Sequence, residues 1–227
     1  MSFAARQVVS LGGSCQPRHQ FHRLGVAAVA APFDNIISDL GAVIEILNNR
    51  AEGLGSSATA AFDLSTAYDD RYGCTLQHDF RNGGDPVVID PPGLAYTADR
   101  YSKRWGNMVA ACASGAPTLF VRVGTFLPPR AASIFYRARG LGAAQANAVP
   151  KALERLFPCT PFRVLLAVHD DLHPVDPAGL DDRIDLVSIP PPVFDRPEAW
   201  KGLDSAWDEL AARFSFPRAR PGHHCWC

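Results

Sequence analysis

The chain has 227 residues, with 22 lysines and arginines against 23 aspartates and glutamates, and is 47% hydrophobic and 20% charged. That length is ample for one sizeable buried core, and the composition excludes a disordered, collagen-like or coiled-coil chain. A formal charge of -1 leaves no overall field to recruit nucleic acid or an anionic membrane, so neither is expected as a partner.

Gln7 to Leu11 is a short apolar run that ends in Gly12-Gly13, and Ser14 or Cys15 then opens CQPRHQFHRLG. Phe21 and Leu24 recur there at helical spacing and Gly25 is a natural stop, so strand, tight turn and helix are predicted. The opening MSFAARQVVSLGG holds no apolar stretch long enough for a secretory signal. After Pro32-Phe33, Asp34 is the predicted N-cap of an amphipathic helix through Ile36, Ile37, Leu40, Val43, Ile44 and Leu47. From Glu52 to Asp70 the residues are small and polar and read as loop or weak helix.

Gly73 to Phe80 reads as a short strand leading into Arg81-Asn82-Gly83-Gly84-Asp85, with Val87 to Ile89 able to pair with it. A helix follows Pro91-Pro92, carrying Arg100, Lys103 and Arg104, which read as a solvated face. The longest uncharged run, Trp105 to Val121, contains Gly115 and Pro117 and is too short and too broken to span a membrane. A cytoplasmic location is therefore expected.

Thr118 to Val123 and Phe162 to Val168 are continuous β-branched and aromatic runs, the pattern of strands covered on both faces. Ala131 to Phe157 between them reads as mostly helical, Ile184 to Ile189 as a further strand, and Trp200, Leu203, Trp207 and Leu210 as a last helix. Alternation of this kind predicts a single α/β domain over 1–216 with a central, largely parallel sheet flanked by helices, and a tail over 217–227. The alternative is a papain-like α+β arrangement.

Chemistry concentrates at Ser10-Leu-Gly-Gly-Ser-Cys15. A strand end followed by glycines puts the next side chain at a helix N-terminus, where the macrodipole and free N–H groups favour negative charge. The Cys15 thiol is therefore expected to have a lowered pKa, and the same N–H groups are suited to an oxyanion. A cysteine nucleophile needs a base and a group to orient it. His19 and His22 follow Cys15 on its own helix and read as polar helix-face residues, whereas His78 lies on another element and is able to approach in space. Asp34, Asp79 and Asp90, in that order, are the candidate orienting acids, although a residue adjacent to the histidine on a strand points the other way.

These segments, VVSLGGSCQPRHQFHRLGV, APFDNIISDLGAVIEIL, YGCTLQHDF, DRYSKRWGNMV and TLFVRV, together resemble a family of microbial proteins described as papain-like cysteine peptidases. The resemblance runs from Val8 to Val123. It implies that Cys15 is the nucleophile and His78 the base, that Asp34 and Asp79 are the family's acidic positions, and that Arg104 and Arg122 are its basic helix and strand positions. Asn35 departs from the tryptophan usual after Pro-Phe-Asp. The implied function is a cysteine-dependent hydrolase or acyltransferase acting on a peptide, amide or acyl substrate, with no cofactor and no metal.

Two other readings follow from the residues. In an SGNH-type serine esterase Ser14 attacks, His173 is base and Asp170 orients it; Ser14 is otherwise a substrate-binding residue. A non-catalytic protein instead binds an anionic or sugar-linked ligand through Arg104 and Arg122. Of the six cysteines, Cys74, Cys112 and Cys159 read as small core residues, and His223, His224, Cys225 and Cys227 as a tail suited to adventitious metal binding or oxidation.

Overall fold

The computed structural model describes residues 3–61, 66–76, 78–80, 87–124, 142–168, 177–190 and 199–219. The chain forms an α/β domain around a five-stranded sheet in which every pairing is parallel. Its strands are β1 (Gln7–Ser10), β2 (Ala28–Val29), β7 (Thr118–Val123), β8 (Phe162–Val168) and β9 (Ile184–Ser188), in the order β2-β1-β7-β8-β9. Taken in chain order this is 2-1-3-4-5, a doubly wound arrangement. All six residues of β7 are buried, Arg122 among them, as expected of a β-branched and aromatic run covered on both faces.

Successive residues on a strand face opposite ways, and the core divides accordingly. Val9, Leu11, Phe120, Val164 and Leu166 face α2 (Leu40–Asn48), α3 (Pro91–Ala113) and α4 (Ala143–Leu156). Val8, Leu119, Val121, Leu165 and Ala167 face α1 (Gln16–Arg23) and α5 (Asp204–Arg213), where Phe21 meets Trp207 and Phe216 edge-on.

Between β2 and β7 the chain inserts a small antiparallel sheet of β3 (Ile36–Ile37), β4 (Ala58–Ala60), β5 (Ala67–Asp69) and β6 (Cys74–Leu76), in the order β3-β6-β5-β4. It corrects two expectations. Ile36 and Ile37 belong to a strand, and α2 begins later, where the Asp39 carboxylate accepts from the Ala42 N–H at 2.7 Å; Asp39, not Asp34, is the cap. The stretch from Glu52 to Asp70 holds two strands, pinned by Asp69, which accepts from the N–H groups of Gly55 and Tyr72. Val87 to Ile89 forms no strand. The parallel sheet also replaces the papain-like α+β alternative for the domain as a whole.

A 3-10 turn, Ala199–Lys201, leads into α5. Beyond it, Pro217 and Ala219 exchange backbone hydrogen bonds with Ala27 and Gly25, so the first residues assigned to the tail are laced to the domain. His223, His224, Cys225 and Cys227 lie outside the described residues, as do Asp170 and His173.

Candidate active site

In this strand order the chain leaves β1 toward β2 on one side and later returns as β7 on the other. Ligands bind open α/β sheets at the carboxyl ends of strands beside such a switch point. Cys15 sits there. The turn after β1 uses Gly12 at φ 71° and Gly13 at φ 103°, conformations that glycine adopts without steric cost. Cys15 is the N-cap of α1 and Pro17 lies in the first turn, where its missing N–H leaves no donor unused. Ser14 is buried, and its hydroxyl accepts from the Gln16 N–H at 3.2 Å.

His78 follows β6 and reaches Cys15 from the antiparallel sheet: Sγ and Nε2 are 3.2 Å apart across 63 residues of sequence. Two elements with no local connection thus deliver one thiol and one imidazole to hydrogen-bond distance. The electrostatics differ from the expectation for a helix N-terminus. Burial, and then the nearby Asp34 charge, push the Cys15 thiol up to about 11, against which its own backbone N–H contributes less. Partial desolvation, and then the Arg100 guanidinium, lower the His78 pKa. Both shifts favour a neutral pair at pH 7.

No carboxylate among the described residues hydrogen-bonds to His78. The Asp79 side chain is fully buried and turns away, accepting from the Tyr101 hydroxyl at 2.7 Å and pairing with Arg100. That contact corrects the reading of Arg100 and Arg104 as a solvated face: Arg100 has 23% of its side chain exposed and Arg104 is buried, while Lys103 does face solvent beside Asp99. Asp90 caps α3, accepting from the Gly93 N–H at 2.7 Å.

Asp34 lies buried under the turn. Its Oδ2 accepts from the Ala31 N–H at 3.0 Å, and its Oδ1 has no hydrogen-bond partner among the described residues. Burial raises its pKa from 3.8 to about 6, with the charges of Arg18 and Arg104 and the Ala31 N–H opposing. A carboxyl raised in this way binds its proton longer in the folded state than in the unfolded chain, so folding weakens as pH climbs from about 4 through 6. The full rise corresponds to about 3 kcal/mol. In urea titrations the stability of wild type relative to Asp34→Asn is expected to drop by about 2 kcal/mol between pH 4 and pH 7. A constant difference would show that Asp34 does not titrate in that window.

The two candidate anion-binding arginines are engaged inside the protein. Arg122 is 1% exposed and donates to the backbone oxygens of Leu11 at 2.8 Å and Ser38 at 2.6 Å, tying the end of β1 to the start of α2. Arg104 meets Asn35, whose amide oxygen, in the orientation that satisfies both its neighbours, accepts from both guanidinium NH groups at 3.2 and 3.1 Å. Asn35 thus does polar work at the position where the resembling family carries tryptophan. In sequence Arg100 reads only as part of a basic helix face and Asn35 as a departure from tryptophan, and Tyr101 only as a helical residue. Their only signal was placement, on a helix face or beside Asp34, and burial decides their roles.

The family model described as "Putative papain-like cysteine peptidase (DUF1796)" matches residues 6–59. The matched segment carries Cys15, Ser14, Asp34 and Asn35, and ends before His78. No curated protein and no solved structure matches the chain. Among the described residues no helix is long and apolar enough to cross a membrane.

Proposed function

We propose that this chain is a cysteine-dependent acyl hydrolase or acyltransferase with peptidase or amidase chemistry, built on a Cys15–His78 dyad. The observation that carries this reading is the 3.2 Å approach of Sγ to Nε2 at the carboxyl edge of the parallel sheet. The family match over residues 6–59 supports it at the level of cysteine peptidase chemistry.

In this reading His78 acts as a general base, because the thiol is protonated at rest. As Cys15 Sγ bonds to the substrate carbonyl carbon, its proton passes to Nε2. The carbonyl electrons move onto oxygen beside the N-terminus of α1, where the helix dipole and backbone N–H groups stabilise an oxyanion. His78 then gives its proton to the leaving nitrogen or oxygen, the bond to carbon breaks and a thioester remains on Cys15. Water, or another acceptor, surrenders a proton to His78, attacks the thioester and restores the thiol.

Asp79, Tyr101 and Arg100 act as positioning residues, fixing the backbone that follows His78. Arg122 holds the turn from behind.

The test uses p-nitrophenyl acetate. Wild type is expected to release nitrophenolate and to carry the acetyl group on the Cys15 peptide by mass spectrometry, and Cys15→Ala is expected to do neither. Acetylation on Ser14, surviving in Cys15→Ala, would favour the serine esterase reading. Equal acetylation of every cysteine would remove the dyad.

A further inference from the structure

If His78 protonates the leaving group, the two halves of a substrate must lie on opposite sides of Cys15. His78 arrives from the antiparallel sheet, which belongs to the core on one face of the parallel sheet. The acyl half therefore extends the other way, over α1 and the opposite face. An exposed wall stands there. The segment around Trp200 packs against the first two turns of α1. Gln20 Nε2 donates to the Lys201 carbonyl at 2.8 Å, and Gly202 lies so close to Gln16 that a Cβ there would overlap the Gln16 amide.

Trp200 is 44% exposed, whereas Trp207 is fully buried and Trp105 partly buried. Its ring meets His19 edge-on with centroids 5.3 Å apart, and Lys201 Nζ lies 5.8 Å from its centroid. His19 stands one helical turn from Cys15, its N–H donating to the Cys15 carbonyl at 3.1 Å, so both side chains share one edge of α1. Side chains at that spacing have Cβ atoms about 5–6 Å apart. The indole is then the next ring beyond His19 along that edge from the thiol. An extended peptide advances about 3.3–3.6 Å per residue, so the first or second side chain on the acyl side reaches it.

We propose that Trp200, backed by His19, is the acyl-side specificity subsite, and that it selects a bulky apolar or aromatic side chain in a peptide substrate. The proposal rests on the Cys15–His78 reading. An aromatic plate held edge-on by a neighbouring ring offers a rigid apolar surface to such a side chain at little entropic cost. A glycine-rich chain gains nothing from it.

The experiment compares two irreversible probes, acetyl-Phe-Phe and acetyl-Gly-Gly chloromethyl ketone. With either, a bond forms between Cys15 Sγ and the probe methylene, the carbon–chlorine bond breaks, chloride leaves, and the thiol proton passes through His78 to water. Wild type is expected to react at Cys15 at least about tenfold faster with the Phe-Phe probe. Trp200→Ala is expected to reduce that preference to less than about threefold, and Trp200→Phe to retain most of it. Iodoacetamide is too small to reach the indole and should alkylate Cys15 at the same rate in all three proteins, which also reports that the site is intact.

Equal rates with the two probes in wild type, or an undiminished preference in Trp200→Ala, would overturn the subsite. Failure of the dyad reads out separately, as iodoacetamide alkylation that is unchanged when His78 is replaced.

Discussion

Replacing His78 by glutamine is expected to slow alkylation of Cys15 by iodoacetamide at pH 7 by at least about tenfold. General base assistance commonly contributes a factor of about 10²–10⁴, so tenfold is a conservative floor. Glutamine is chosen over alanine because it keeps most of the volume beside the thiol. Alanine would admit water, relieve the burial that raises the Cys15 pKa, and so partly offset the loss of the base. The sign of the pH dependence follows from the two shifts. In wild type the imidazole is depressed below its ordinary value of 6.5, so it is available as a base from acidic pH upward, and the rate should rise there and then level off. In His78→Gln the reaction must await the thiolate, whose pKa is about 11, so the rate should keep climbing with pH through the alkaline range. The two curves should approach one another at high pH. Identical profiles would mean that the 3.2 Å contact carries no proton and that the dyad is not catalytic.

The elements that sequence made visible are those whose pattern is local. β1, β7, β8 and β9 are short segments built around apolar residues with breakers at their ends, and the long runs of β7 and β8, expected to be covered on both faces, are buried along most of their length. The double glycine before Cys15 announces a turn in the same local way. β4 and β5 were hidden because Ala58-Thr59-Ala60 and Ala67-Tyr68-Asp69 carry no apolar alternation; they are strands by virtue of each other and of β6. Ile36 and Ile37 fit a helical stripe as well as a strand, and only their pairing with Leu76 and Thr75 decides between them. His78 was legible as a candidate because it lies off the helix that bears Cys15. The protonation state of Cys15 was not, because a helix N-terminus is written in sequence whereas the burial and the neighbouring Asp34 that outweigh it are products of the fold. Asp79 turns to Tyr101 and Arg100 and not to His78, the outcome expected of neighbours on a strand, but the two residues lie in the turn after β6, so strand alternation is not its cause.

The turn that delivers Cys15 should be the least forgiving place in the chain, and Gly13→Ala should show it. Gly13 has φ 103°, and a Cβ added there would overlap the backbone oxygen of Val123, the last residue of β7. Backbone cannot move aside as a flexible side chain does, so the substitution adds overpacking to conformational strain. Each contributes about 1–3 kcal/mol, and together they predict a loss of about 4 kcal/mol in urea unfolding. Domains of this size are stable by only about 5–15 kcal/mol, so a large share of the folded state is at risk.

Gly25→Ala is the internal control. Gly25 also has positive φ, 62°, but nothing lies within 4 Å of its would-be Cβ, so only the conformational cost remains, about 1 kcal/mol. A loss in Gly13→Ala no larger than in Gly25→Ala would show that the turn yields, and that β7 does not fix it. If the turn does not yield, the chain can relieve the overlap only by separating β1 from β7 at their carboxyl ends. That movement shifts the first residue of α1 and draws Sγ away from Nε2. In whatever fraction of Gly13→Ala stays folded, Cys15 should therefore react with iodoacetamide more like His78→Gln than like wild type, because the close packing that costs stability is what sets the dyad distance.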